Sequence, residues 1–123
     1  SPLNAFQLQN SDVISYHNYA PEPVHAAEIK HLQVFNRPMF CTEYMARTKG
    51  STFQAIMPLL KKNNVGAINW GLVDGKTNTK YSWEEVLPDG REPELWFHDI
   101  LHKDGTPYKA DEIEIIKQLN TRK

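Results

Sequence analysis

An α/β fold on parallel strands is what this sequence predicts, and three observations carry that expectation. Apolar residues alternate between strand-like and helix-like spacing along the chain. The strand-like segments end at His17, Glu43 and Trp70, at intervals of roughly 26 residues, the length of one strand and one crossover helix. No low-complexity tract interrupts the order, so residues 1–123 read as one unit. Such alternation implies strands that all run one way, with their C-terminal ends on one side.

The first strand is read over 11–19, where Ser11 and Asp12 lead into Val13, Ile14 and Tyr16. Residues 21–35 then predict a helix. Val24, Ala27, Leu32 and Phe35 recur at near-helical intervals, and Pro21 and Pro23 are tolerable in a first turn. The second strand, 37–44, is a continuous apolar run of the kind seen in strands covered on both faces. Ser51 reads as the cap of a helix carrying Phe53, Ile56, Met57 and Leu60, although Pro58 conflicts with an unbroken helix there. The third strand is read over 64–71. Residues 71–94 form a long polar loop, and 95–108 an extended arm with a turn at Lys103, Asp104 and Gly105. A last helix, 111–120, opens at Asp111 with Glu114 three residues on and carries Ile113, Ile116 and Leu119 as its apolar stripe.

Fourteen Lys and Arg against fifteen Asp and Glu leave a formal charge of −1, which lacks the footprint of a nucleic-acid or anionic-membrane binder. A neutral partner fits this balance. Three Trp, five Tyr and five Phe supply flat apolar faces that fill a core or stack on sugar rings. Cys41 is the only cysteine, so neither an intrachain disulfide nor a cysteine zinc cluster can form. No stretch has the pattern of a signal peptide or the roughly 18 apolar residues of a membrane span. The chain opens at Ser1 without a starting Met, as expected of a piece of a longer protein.

Parallel α/β sheets place ligands and catalytic groups at the C-terminal ends of their strands. Three pairs fall there: His17 and Tyr19, Glu43 and Tyr44, Asn69 and Trp70. A carboxylate at such a point is held by a rigid strand and can receive donors from its neighbours. Taken singly, each residue has a plainer reading. Glu43 could pair with Arg37 or Arg47, His17 could be a core histidine, and Trp70 could pack under a loop. Trp83 and Trp96, flanking the long loop, read as packing anchors. Asp74 could reach a ligand from that loop or serve as a turn aspartate before Gly75. His98 and His102 are weak metal candidates in an extended arm, and no metal or cofactor is assigned.

The ordered set "SYHNY", "FCTEY", "AINWGLVDGKTNT" and "WFHDILHKDGTPY" resembles the last part of a retaining glycoside hydrolase of the cellulase-like superfamily. The likeness is to family five hydrolases, of the bacterial type labelled cellulase-like or 1,4-β-xylanase, and spans about Ser11 to Asn120. It implies a partial (β/α)8 TIM barrel: the last three β/α units, strands six to eight, with a C-terminal arm and helix. It makes Glu43 the catalytic nucleophile. His17 and Tyr19 match a His-x-Tyr pair in which the phenol bonds the nucleophile and the imidazole contacts sugar. Trp70 matches a stacking platform beneath the sugar, with Asn69 and Asp74 as further substrate-binding candidates. The substrate implied is a plant-type xylan, glucan or mannan, and the parent is expected to be secreted or periplasmic.

A retaining glycosidase needs one ionised carboxylate to attack the anomeric carbon and a second carboxyl group about 5 Å away to protonate the leaving oxygen. In the resembling enzymes the second acid follows an Asn, and this chain has no Asn-Glu dipeptide. Loss of the proton donor typically removes about 10²- to 10⁴-fold in rate, so the chain by itself is expected to be nearly inactive. A truncated barrel would also expose a strand edge and self-associate. The competing expectations are a small α/β binding domain and a carbohydrate-binding module without catalysis.

Overall fold

The computed structural model describes residues 1–84 and 89–121. Helix α1 (Pro2–Asn10) is capped by Ser1, whose hydroxyl accepts from the Asn4 amide at 3.3 Å. Strand β1 (Ile14–His17) leads to helix α2 (Glu22–Leu32), which tightens into a 3₁₀ turn (Gln33–Phe35) stopped by Asn36 at φ 49°. Strand β2 (Met39–Glu43), a second 3₁₀ turn (Arg47–Lys49), helix α3 (Phe53–Lys62) and strand β3 (Val65–Ala67) follow. A long irregular stretch ends at helix α4 (Ala110–Asn120).

The three strands form one parallel sheet in the order β1-β2-β3. Ile14, Met39, Cys41 and Val65 meet Ile29 and Leu32 of α2 and Phe53, Ile56 and Leu60 of α3 in a single core. Each such side chain stabilises the fold by about 1.5–3 kcal/mol on burial. The expected partial (β/α)8 barrel is corrected here. The sheet is open, with β1 and β3 as free edges and one face uncovered. Phe40 and Ile68 are 44% and 51% exposed. Alternation of strand and helix dictates parallel pairing, which an open sheet satisfies. Closure demands a set tilt and stagger around a complete ring, which three strands do not supply. The apolar run at 37–44 is accordingly buried in alternation, Met39 and Cys41 inward and Phe40 outward.

Several local expectations shift by a residue or more. The inward face of α2 is His25, Ile29 and Leu32, whereas Val24 is exposed, because His25 shares a 2.9 Å hydrogen bond with the Tyr16 hydroxyl beneath it. Thr52, not Ser51, caps α3 through the Ala55 amide at 3.2 Å. Pro58 is carried inside that helix, where it and Gln54, the residue whose carbonyl its missing N–H would have met, are both exposed. Lys109 precedes α4 without a side-chain cap, and Asp111 instead accepts from Gln54 Nε2 at 2.9 Å. The third strand ends at Ala67, so Asn69 and Trp70 lie beyond it.

The first part of the arm is a buried strap: Trp96, Phe97, His98, Asp99 and Ile100 are all buried, whereas residues 103–107 around its turn are exposed. Its turn falls where expected, with Gly105 at φ 84° and its amide donating to the His102 carbonyl at 2.9 Å. Arg47 anchors the strap. It donates to Glu112 of α4 at 2.8 and 2.6 Å and to the Trp96 and Asp99 carbonyls at 2.9 Å each. Within the loop read over 71–94, residues 85–88 lie outside the described residues.

Candidate active site

Parallel pairing brings the ends of β1 and β2 together. The register slips between Tyr16 and His17, so that Tyr16 lies opposite Cys41 but His17 lies opposite Glu43. Strict alternation from Met39 and Cys41 would aim Glu43 at the helix-covered side. The irregularity re-aims it toward the end of β1, as bulges do. The Asn18 amide then donates to the Glu43 carbonyl at 3.0 Å and fixes the chain that carries Tyr19.

The side chains converge as the strand-end pattern suggested. Tyr19 donates its hydroxyl proton to Glu43 Oε2 at 2.6 Å. His17 Nδ1 lies 3.4 Å from the same oxygen, with the His17 side chain 55% and the Glu43 side chain 23% exposed. Burial, and then the bond to Glu43, push the Tyr19 phenol well above its ordinary pKa, so it remains a proton donor. The plainer ion-pair reading of Glu43 fails. Arg47 is committed to Glu112, and Arg37 donates to the Ser11 carbonyl. Among the described residues no protein group bonds Oε1 of Glu43. Cys41 is fully buried, and burial pushes its thiol up to about 11, which leaves it an inert thiol.

Trp70 shares this rim through its backbone, whose amide donates to the Tyr44 carbonyl at 3.5 Å. Its side chain is 50% exposed, as a stacking surface requires. The other two substrate-binding candidates serve the fold. Asn69 Nδ2 donates to the Gly71 carbonyl at 2.7 Å, closing the turn after β3. Asp74 is buried and accepts from Lys80 at 3.0 Å, an ammonium shared with Glu92 at 2.7 Å. Trp96 is a packing anchor, 1% exposed and stacked on Tyr108 at 4.4 Å. The two arm histidines diverge, His98 to the Met45 carbonyl and His102 to the edge of Trp96.

Three further residues shape the rim. Met45, fully buried, holds φ 73°, a left-handed conformation that costs of order 1–3 kcal/mol in a non-glycine residue. It is pinned on both sides: its amide donates to Ser51 Oγ at 3.2 Å, and its carbonyl accepts from His98 Nδ1 at 2.7 Å. Trp83 is 59% exposed yet stands edge-to-face with Tyr19 at 5.0 Å and Phe97 at 4.9 Å. His98 lies 5.3 Å from the Tyr19 ring. Nothing in local sequence marks Met45 or His98, since both owe their positions to an arm more than fifty residues from β2; Gly71 is the one trace. Its φ is 86°, and an added Cβ would stand 2.7 Å from His98 Cβ. Comparison of the chain with protein-family models, curated proteins and solved structures finds no match, so the functional reading rests on this geometry and on the residue pattern.

Proposed function

We propose that this chain supplies the nucleophile side of a retaining β-glycoside hydrolase, cellulase-like or xylanase-like, acting on a plant-type xylan, glucan or mannan. The observation that carries the reading is the 2.6 Å bond from Tyr19 to Glu43 Oε2 at a strand-end rim where neither Arg37 nor Arg47 competes for the acid. Tyr19 holds Oε2, with His17 Nδ1 standing 3.4 Å from the same oxygen, and Oε1 attacks the anomeric carbon. A C1–Oε1 ester forms as the C1–O bond to the aglycone breaks, and the aglycone departs with the electron pair. Its proton comes from an acid outside this chain. Water, giving its proton to the same external residue now acting as base, then displaces Glu43 from C1 with inversion, restoring the carboxylate and the original configuration.

The missing acid decides the experiment. A 2,4-dinitrophenyl 2-deoxy-2-fluoro-β-glycoside leaves as the phenolate and needs no proton donor, so the chain alone should form a glycosyl ester. Mass spectrometry of a peptic digest is expected to find the sugar on Glu43, and none on the Glu43→Gln variant. If xylo-, gluco- and manno-configured reagents all leave Glu43 unlabelled, the reading is wrong. The half-exposed Trp70 favours a second reading, a carbohydrate-binding surface without bond cleavage. That reading requires sugar affinity unchanged by Glu43→Gln and no labelling.

A further inference from the structure

His98 stands beside Tyr19 and takes no part in holding Glu43. It is 1% exposed, and its Nδ1–H donates to the Met45 carbonyl at 2.7 Å, which fixes the tautomer. Nε2 is therefore a bare acceptor, and among the described residues no protein group bonds it. Burial lowers the imidazole pKa, so the ring keeps its lone pair. An unpaired buried acceptor costs about 1–3 kcal/mol and calls for a physical reason.

Its surroundings supply one. The His98 ring has aromatic neighbours at 4.2 Å (Phe97), 5.3 Å (Tyr19) and 5.8 Å (Trp83). Phe97 is fully buried and Tyr19 is tied to Glu43, whereas Trp83 is 59% exposed. On its solvent side Trp83 is held by the Lys49 ammonium, 5.3 Å from the ring centroid, and Lys49 pairs with Glu84 in water, a weak tether. Trp83 is thus the neighbour that moves at least cost. An indole able to stack and an unpaired imidazole nitrogen in the neighbouring ring match the two chemistries of a pyranoside surface, its C–H face and its hydroxyl donors.

Resting on the assignment of Glu43 to a sugar site, we propose that His98 Nε2 accepts a hydrogen bond from a hydroxyl of the pyranoside beside Glu43. Trp83 moves off the imidazole to admit that hydroxyl and stacks on the same sugar. The pair thereby adds a binding contact beside Tyr19, and it selects sugars bearing a hydroxyl donor at that position.

The test uses nitrogen-15 NMR of the histidine rings with xylotriose, cellotriose and mannotriose as probes. One of these should move the unprotonated Nε2 resonance of His98 upfield at saturation. His98→Asn keeps an amide N–H for the Met45 carbonyl and removes the acceptor; affinity for the responding sugar should fall about three- to tenfold with the circular dichroism unchanged. If that variant fails to fold, the wild-type resonance decides alone. A resonance that stays put up to the solubility limit of all three sugars, or a folded His98→Asn of unaltered affinity, overturns the proposal. Labelling of Glu43 with a silent His98 defeats only this inference. A His98 response without labelling defeats only the hydrolase reading.

Discussion

The Tyr19 hydroxyl donates to one oxygen of Glu43 at 2.6 Å, and among the described residues the other has no protein partner. A hydrogen bond to a charged group contributes about 1.5–3 kcal/mol, which converts to roughly 10- to 100-fold in rate if it acts in the transition state. Tyr19→Phe should therefore slow labelling of Glu43 by the fluoroglycoside by about that factor. Stopped-flow release of dinitrophenolate measures it. An unchanged rate would mean that the phenol orients nothing that matters to attack.

The Arg47–Glu112 pair predicts a stability effect. Both side chains are 2% exposed, and the guanidinium also holds two strap carbonyls. Removing one partner of a buried pair typically destabilises by about 3–5 kcal/mol, because the other is left charged and unpaired. Glu112→Gln should lower the urea midpoint by a corresponding amount, and Arg47→Met with Glu112→Leu should recover part of it. Equal losses for the single and double variants would show that the strap carbonyls, rather than the ion pair, dominate.

This pair also shows what local sequence leaves open. Parallel pairing and the strand ends at His17 and Glu43 were legible because crossover length fixes the period. Whether three parallel strands curl into a barrel or lie open is a property of the whole sheet, and no residue in β1 to β3 encodes it alone. Helix α1 escaped notice because Leu3 and Phe6 are exposed, so no apolar stripe marks it, although Ser1 before Pro2 is a capping signal. The ends of β3 and the cap of α3 were misplaced by a few residues, since Ser51 and Thr52 are chemically equivalent caps until Met45 claims the Ser51 hydroxyl. Trp83 and His98 join Tyr19 only through tertiary contacts.

Two glycines should answer differently to alanine. At Gly71 the backbone sits at φ 86° and the new Cβ meets His98 Cβ at 2.7 Å and its carbonyl carbon at 3.2 Å, atoms fixed by the strap. Backbone strain alone costs about 1–3 kcal/mol there. At Gly66 the obstacle is the Phe40 ring at 2.4 Å, which is 44% exposed and can rotate into solvent. Gly66→Ala should cost less than about 1 kcal/mol. Thermal unfolding of the two variants side by side tests the ordering, and a Gly66 variant as damaged as the Gly71 variant would show that the Phe40 ring is held in place.

His25 makes stability fall with acid. It is fully buried, and burial lowers its pKa from 6.5 to about 4. Between those values the unfolded chain binds a proton that the folded chain refuses, so stability is complete above about pH 6.5 and declines as pH drops toward 4. The shift corresponds to roughly 3–4 kcal/mol. His98, lowered in the same direction by burial, adds to the slope. Urea titrations at successive pH values should show the decline, and His25→Gln, whose amide can still reach the Tyr16 hydroxyl, should flatten it. A His25→Gln variant with the full wild-type slope would place the acid sensitivity elsewhere, in His98 or in the carboxylates that become protonated below pH 5.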